Sequence, residues 1–448
     1  MTVWCRRLVV SGQVHERVRL EAGADGRVTA VTPDTDAAAG DLVLDTAVPG
    51  FANAHSHAFH RALRGRTHDS GGDFWSWREK MYRSAAALTP ARYALLARAV
   101  FAEMVTAGFT AVGEFHYVHH RLGGQPYGSG PDAGSEPPHA MERAVAEAAE
   151  AVGIRLTLLD TAYLAGGVGR PLAPEQARFG DADAETYLRR WHALADVAPA
   201  HALGLVSIGA ALHSVRGVAP DDIRTIVAGL PDGIPLHVHL SEQPQENADA
   251  LAAYGATPTG ILADAGALTS RLSVVHATHP TADDIALLGA AKVSVVMCPT
   301  TEADLGDGIG PARELLDAGA TLALGSDQNA VVDPLREVSG LEMHDRLRSL
   351  RRGRFALPEL ADAASAGGYR SLGHRPAGAV GGPLDLVEID TGSVRTVGAE
   401  PAQLLLCATA SDVRRVVVGG RVVAEAGLLA DGTSPAELLA TALAEVAS

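Results

Sequence analysis

Eight short apolar segments recur through the middle of the chain, most of them separated by amphipathic stretches, and this alternation restricts the possible architectures more than anything else in the sequence. The segments are 48–53, 111–116, 155–159, 204–209, 235–239, 273–276, 293–297 and 321–324. Continuous apolar runs of this length suit strands buried on both faces, and parallel neighbours of that kind need a crossover, usually a helix. Helical patterns lie between most of them, at 90–107 behind a Thr89 cap, 140–151, 184–195, 221–228, 282–288 and 311–318. Eight such units over about 280 residues predict a (β/α)₈ barrel, whose chemistry sits at the C-terminal ends of its strands. A doubly wound open sheet is the alternative.

The two ends of the chain read differently. Alternating segments at 7–10, 17–20, 27–30 and 42–44 resemble those at 385–390 and 414–423, the last with a Gly419-Gly420 hairpin turn. Both ends are therefore expected to meet in one small β-sandwich domain, residues 1–48 and 373–448, around a barrel spanning 49–372. The Gly-, Pro- and Ser-rich stretch 123–138 is expected to be a loop over the top or side of the barrel.

Charge narrows the function classes. Against 37 Lys and Arg stand 53 Asp and Glu, a formal net charge of −16. Phosphate backbones and anionic membranes select basic surfaces, so nucleic-acid and membrane partners are not expected. An anionic ligand would have to be held by local arginines, because the only lysines are Lys80 and Lys292. Cys5, Cys298 and Cys407 are too few and too scattered for a disulfide framework or a cysteine zinc ribbon. With no leader pattern and no apolar run long enough to span a bilayer, a cytoplasmic protein is expected.

Polar residues gather at the C-terminal ends of the expected strands. The first ends in His55-Ser-His57, whose side chains point to one side of an extended strand and can share one metal ion. The fifth gives His237-Val-His239-Leu-Ser-Glu242, the sixth His276-Ala-Thr-His279, and the eighth Gly325-Ser-Asp327. Singly, each reads as an ordinary hydrogen-bonded histidine or a common turn. Together, imidazoles and one carboxylate in equivalent positions make a plausible zinc site with a coordination position left for water. His237 lies one strand period deeper and is expected to be a buried structural histidine.

In this order of ligands the chain resembles the amidohydrolase superfamily. The resemblance implies metal ligands at His55, His57, His239 and Asp327, with His276 beside the metal or the substrate. Many binuclear members use a carboxylated lysine on the fourth strand. Lys80 precedes the second strand and Lys292 adjoins the seventh, so the implied site is a single-metal deaminase type, with one Zn²⁺ per chain or another divalent ion such as Fe²⁺. The same resemblance implies Glu242 as proton shuttle, Asp327 as acceptor of the water's proton and His276 as stabiliser of the tetrahedral intermediate.

Within the superfamily the chain is most similar to the formimidoylglutamate deiminases. The similarity rests on 55–63, 74–78 with 81–83, Glu114-Phe-His-Tyr-Val-His-His120, 212–216, 275–279 and Thr301-Glu-Ala-Asp-Leu-Gly-Asp-Gly308. It implies hydrolysis of N-formimidoyl-L-glutamate to N-formyl-L-glutamate and ammonia in histidine degradation, in a homodimer. The implied substrate contacts are Arg78, Tyr117, His213 and Arg216, with His60 where many members carry glutamine. A second departure is Gln328-Asn329 in place of Ser-His. Two arginines suit a dicarboxylate, which guanidinium forks bind bidentately. The alternatives are a hydrolase acting on a purine, pyrimidine or triazine ring, and a barrel kept only as a binding module.

Overall fold

The computed structural model describes residues 1–67, 74–129, 136–197 and 204–447. Four strands open the chain: β1 (Thr2–Val10), β2 (Gln13–Ala22), β3 (Val28–Thr32) and β4 (Leu42–Pro49). Eight more form the barrel: β5 (Phe51–Ser56), β6 (Phe109–His116), β7 (Arg155–Ala162), β8 (Val206–Leu212), β9 (Leu236–Leu240), β10 (Leu272–His276), β11 (Ser294–Met297) and β12 (Thr321–Leu324). They pair in sequence order, every ladder parallel. The barrel is the one expected, and β5, β6, β9 and β10 are buried along their whole length. That is why they read as apolar runs without alternation.

Closure occurs at the C-terminal mouth. Ser56 and Asp327 form a parallel bridge. On either side of it Asp327 N donates to His55 O, and His57 N to Asp327 O, both at 2.9 Å. The last strand is thereby sewn to the first through the residues singled out above.

Several boundaries differ from expectation. The first run, 48–53, is cut at Gly50: Val48 and Pro49 end β4 in the other sheet and Phe51 starts the barrel. A Cβ on Gly50 would collide with the Thr110 side chain, so the chain crosses between sheets at a point only glycine fits. The third and fourth barrel strands run on to Ala162 and Leu212, beyond the expected ends at 159 and 209.

The C-terminal strands β13 (Leu386–Ile389), β14 (Val413–Val418), β15 (Arg421–Glu425) and β16 (Leu428–Leu429) join the first four in one sheet, ordered β16-β15-β14-β13-β4-β1-β2-β3. The two ends of the chain meet where β13 pairs with β4, Val387 opposite Val48. The Gly26 turn of the β2–β3 hairpin packs on Gly419 of the β14–β15 hairpin, so the sheet curls over its own core of Val3, Cys5, Leu20, Leu44, Leu386 and Val417. Arg155 at the base of the barrel pairs with the buried Asp385 at 3.3 Å, fastening the two sheets together.

All three cysteines are free thiols. Among the described residues no helix is long and apolar enough to cross a membrane. Of the expected loop 123–138, residues 130–135 lie outside the described residues, and 123–129 form turns.

Candidate metal centre and substrate pocket

Each strand end delivers its polar group by a local device. Ser241, His276, Ala277 and Asp327 take positive φ, between 43° and 69°, at the ends of the fifth, sixth and eighth barrel strands. This region is costly for residues with a Cβ and clusters at functional sites. His57 leaves β5 in extended conformation and caps the short turn Ala58–Leu63.

The result is a knot of histidines around one carboxylate. Asp327 Oδ1 lies 3.2 Å from His55 Nε2 and 3.4 Å from His57 Nε2, and its Oδ2 lies 4.0 Å from His276 Nε2. His55 Nε2 and His239 Nε2 are 3.1 Å apart. His57 Nδ1 donates to Phe115 O at 2.9 Å and His239 Nδ1 to His213 O at 2.8 Å. These partners fix the tautomers and turn the Nε2 lone pairs inward, the outer support expected of metal-ligating imidazoles. Ligand atoms of His55, His239, His276 and Asp327 fall within 4.8 Å of one another, as do those of His57, His60 and Asp327.

Burial lowers the pKa of His55 to about 3 and also lowers those of His57 and His239. Neutral rings are the ligating form. Burial opposes ionisation of Asp327, but the His55 hydrogen bond and the neighbouring imidazoles outweigh it and hold its carboxyl well below the usual range. Lone pairs converging on a buried carboxylate fit a divalent cation of borderline softness.

His276 is different. Burial disfavours its charged form, yet Glu302, Glu242 and Asp327 push it up to about 10. Glu302 Oε1 lies 3.4 Å from His276 Nδ1 and accepts Cys298 N at 2.9 Å, so the carboxylate is itself anchored.

A cavity of about 420 Å³ opens above this cluster, with Asp327, His57, His239 and His276 in its floor. His55 lies fully buried. The other residues singled out from sequence, His60, Arg78, Tyr117, His213, Arg216 and Glu242, line the same cavity. His60 Nε2 is 3.0 Å from Tyr117 Oη, and Arg78 Nε donates to Tyr82 Oη at 2.6 Å. Arg216 Nη2 donates to Glu242 Oε2 at 2.9 Å, and its Nε lies 3.8 Å from Glu246. His237 is directed away, with Nε2 donating to Ser371 O at 2.9 Å. Of the departures, Gln328 Nε2 donates to Asp304 at 2.7 Å, while Asn329 Nδ2 donates to His57 O at 3.0 Å and braces the first strand's histidine pair.

Sequence reasoning missed Glu246 and Glu302, and also Tyr163, Gly167 and Arg170 on the cavity wall. Glu246 stands four residues after Glu242 across a helix start, and that spacing was the available signal.

A second buried group, His116, His119 and Glu142, also brings ligand atoms together. There Arg190 Nη1 donates to Asp160 at 2.7 Å and lies 3.2 Å from His119 Nδ1. A guanidinium already supplies the positive charge.

Residues 46–423 match the model of the amidohydrolase family. A formimidoylglutamate deiminase of Pseudomonas aeruginosa is 38% identical over 92% of this chain and 91% of its own. Among solved structures, an amidohydrolase from Brucella melitensis superposes with a TM-score of 0.90 at 30% identity, covering 100% of both chains. An adenosine deaminase from Xanthomonas campestris with bound zinc gives 0.82 at 26% identity, covering 99% of this chain and 97% of its own.

Proposed function

Since the chain belongs to the amidohydrolase family, we propose that it hydrolyses N-formimidoyl-L-glutamate to N-formyl-L-glutamate and ammonia, a step of histidine degradation. The observation that carries this is one cavity holding both a metal-ligand set and two arginines, Arg78 and Arg216. The first suits hydrolysis of a C–N bond and the second suits a dicarboxylate. The deiminase relative is closer than the adenosine deaminase, at 38% against 26% identity.

His55, His57, His239 and Asp327 would hold one Zn²⁺ per chain. When bound, such an ion brings the pKa of a water ligand to about 7, making hydroxide available at neutral pH. Asp327, whose Oδ1 lies beside the Nε2 atoms of His55 and His57, takes the attacking water's proton. Glu242 carries a proton to the departing nitrogen. His276, kept cationic by Glu302, donates a hydrogen bond to the tetrahedral intermediate as it forms. Arg78 and Arg216 hold the carboxylates, while Tyr117, His213 and His60 shape the wall around the formimidoyl arm. His60 replaces an amide by a ring that offers one donor and one acceptor.

The protein is further proposed to act as a cytoplasmic homodimer, with 49–372 as the catalytic barrel and 1–48 with 373–448 as the accessory β domain. The test is ammonia release from N-formimidoyl-L-glutamate beside N-formimidoyl-L-aspartate, guanine and cytosine. A preference for a ring amine would overturn the proposal in favour of a ring deaminase.

A further inference from the structure

The guanidinium of Arg216 is shared. Its Nη2 donates to Glu242 Oε2 at 2.9 Å, and both side chains line the cavity. Its other carboxylate, Glu246, faces Arg216 Nε at 3.8 Å with a fully buried side chain. Glu246 is also tied to the backbone, accepting Glu242 N at 3.2 Å. One partner of Arg216 can therefore swing in the cavity and the other cannot.

We propose that Arg216 makes the working position of Glu242 conditional on a substrate carboxylate: the incoming carboxylate takes the place of Glu242 on the guanidinium, releasing Glu242 toward the reacting nitrogen, while Glu246 remains as the standing counter-ion. The inference rests on the deiminase function proposed above and deepens it by naming what selects the substrate. Without substrate, Glu242 Oε2 is engaged by Arg216. A third carboxylate brought to a guanidinium already faced by two is repelled by both, and more strongly than in bulk water because Glu246 is buried and Glu242 nearly so. Glu246 is held by the backbone, so Glu242 is the one that leaves.

This differs from a simple anchoring role. An arginine that only anchors affects binding of substrate and transition state alike, so a substrate without carboxylates loses KM alone. An arginine that also restrains Glu242 makes such a compound lose kcat, because remote binding energy is needed to complete the reacting centre.

The experiment uses the zinc-loaded enzyme and N-methylformamidine, which keeps the reacting group and has no carboxylate. Added propionate is expected to raise its kcat at least about tenfold, the separate carboxylate doing what the covalent one does. Arg216→Met is expected to raise kcat for N-methylformamidine over wild type and to abolish the propionate effect. If propionate only competes or does nothing, the inference is overturned, and this arm requires no variant. Failure to release ammonia from N-formimidoyl-L-glutamate would instead overturn the proposed function. Turnover of that substrate with no propionate activation removes the present inference alone.

Discussion

Nε2 of His55 and Nε2 of His239 stand 3.1 Å apart, with Asp327 Oδ1 3.2 Å from the first of them. His239 is held by His213 O in the tautomer whose Nε2 carries a lone pair. His55 Nδ1 has no hydrogen-bond partner among the described residues. Two ring nitrogens and a carboxylate oxygen this close, with His239 Nε2 presenting its lone pair, suit a cation between them. One divalent ion per chain is expected by elemental analysis, and chelation should lower Tm. At a free metal concentration about a thousandfold above Kd the ion contributes about 4 kcal/mol. Two ions per active chain, or an unchanged Tm on chelation, would contradict this.

Glu242→Gln is expected to keep the metal and lose about a hundredfold or more in kcat, since the amide preserves shape but cannot relay a proton. Steady-state ammonia release on metal-assayed protein measures it. A near-normal kcat would take Glu242 out of proton transfer.

For N-formimidoyl-L-glutamate, Arg216→Met should lower kcat/KM at least about thirtyfold, the lower end of the cost of removing one partner from a desolvated charge pair. Arg216→Lys should recover only part, keeping charge without the planar fork. Metal content should not change in either. Normal processing by the methionine variant would refute the dicarboxylate reading.

Glu337 is expected to make stability depend on pH. It is fully buried, accepts Thr300 N at 3.0 Å, and burial pushes its pKa up to about 8 from an ordinary value of 4.5. Between those values the unfolded chain is ionised at this position and the folded one is not, so the folded state binds more protons and stability falls as pH rises. Glu337→Gln removes that slope, because its amide can accept from Thr300 N and donate to Thr300 Oγ1. Tm of the variant relative to wild type should therefore be higher at pH 8 than at pH 5. A difference independent of pH would mean that Glu337 is ionised in the folded protein.

The barrel could be read from sequence because strands buried on both faces leave uninterrupted apolar runs. Its errors have tertiary causes. Val48 and Phe51 belong to one apolar run, and what parts them is the packing of Thr110 against Gly50, residues far apart in the chain. Ala210-Ala211-Leu212 extends β8 although alanine has little strand preference, because β9 offers partners to all three. The cavity residues were visible as polar groups ending apolar strands. Glu302 was not, because its role comes from a helix turn that directs it at His276, and nothing in local spacing specifies that direction. The positive φ of Ser241, His276 and Asp327 was equally hidden, since none is a glycine.

The seam that closes the barrel joins Asp327 to His55 and His57. A chain emerging from the ribosome presents the two histidines first, and about 270 further residues must follow before the aspartate appears. Seven strands can be laid side by side in that interval, but the first has no neighbour on its open flank and the proposed metal site has no carboxylate. Assembly of the proposed metal site would therefore follow completion of the eighth strand, so a truncated or stalled product lacking it exposes an unpaired strand edge and lacks the carboxylate of that site.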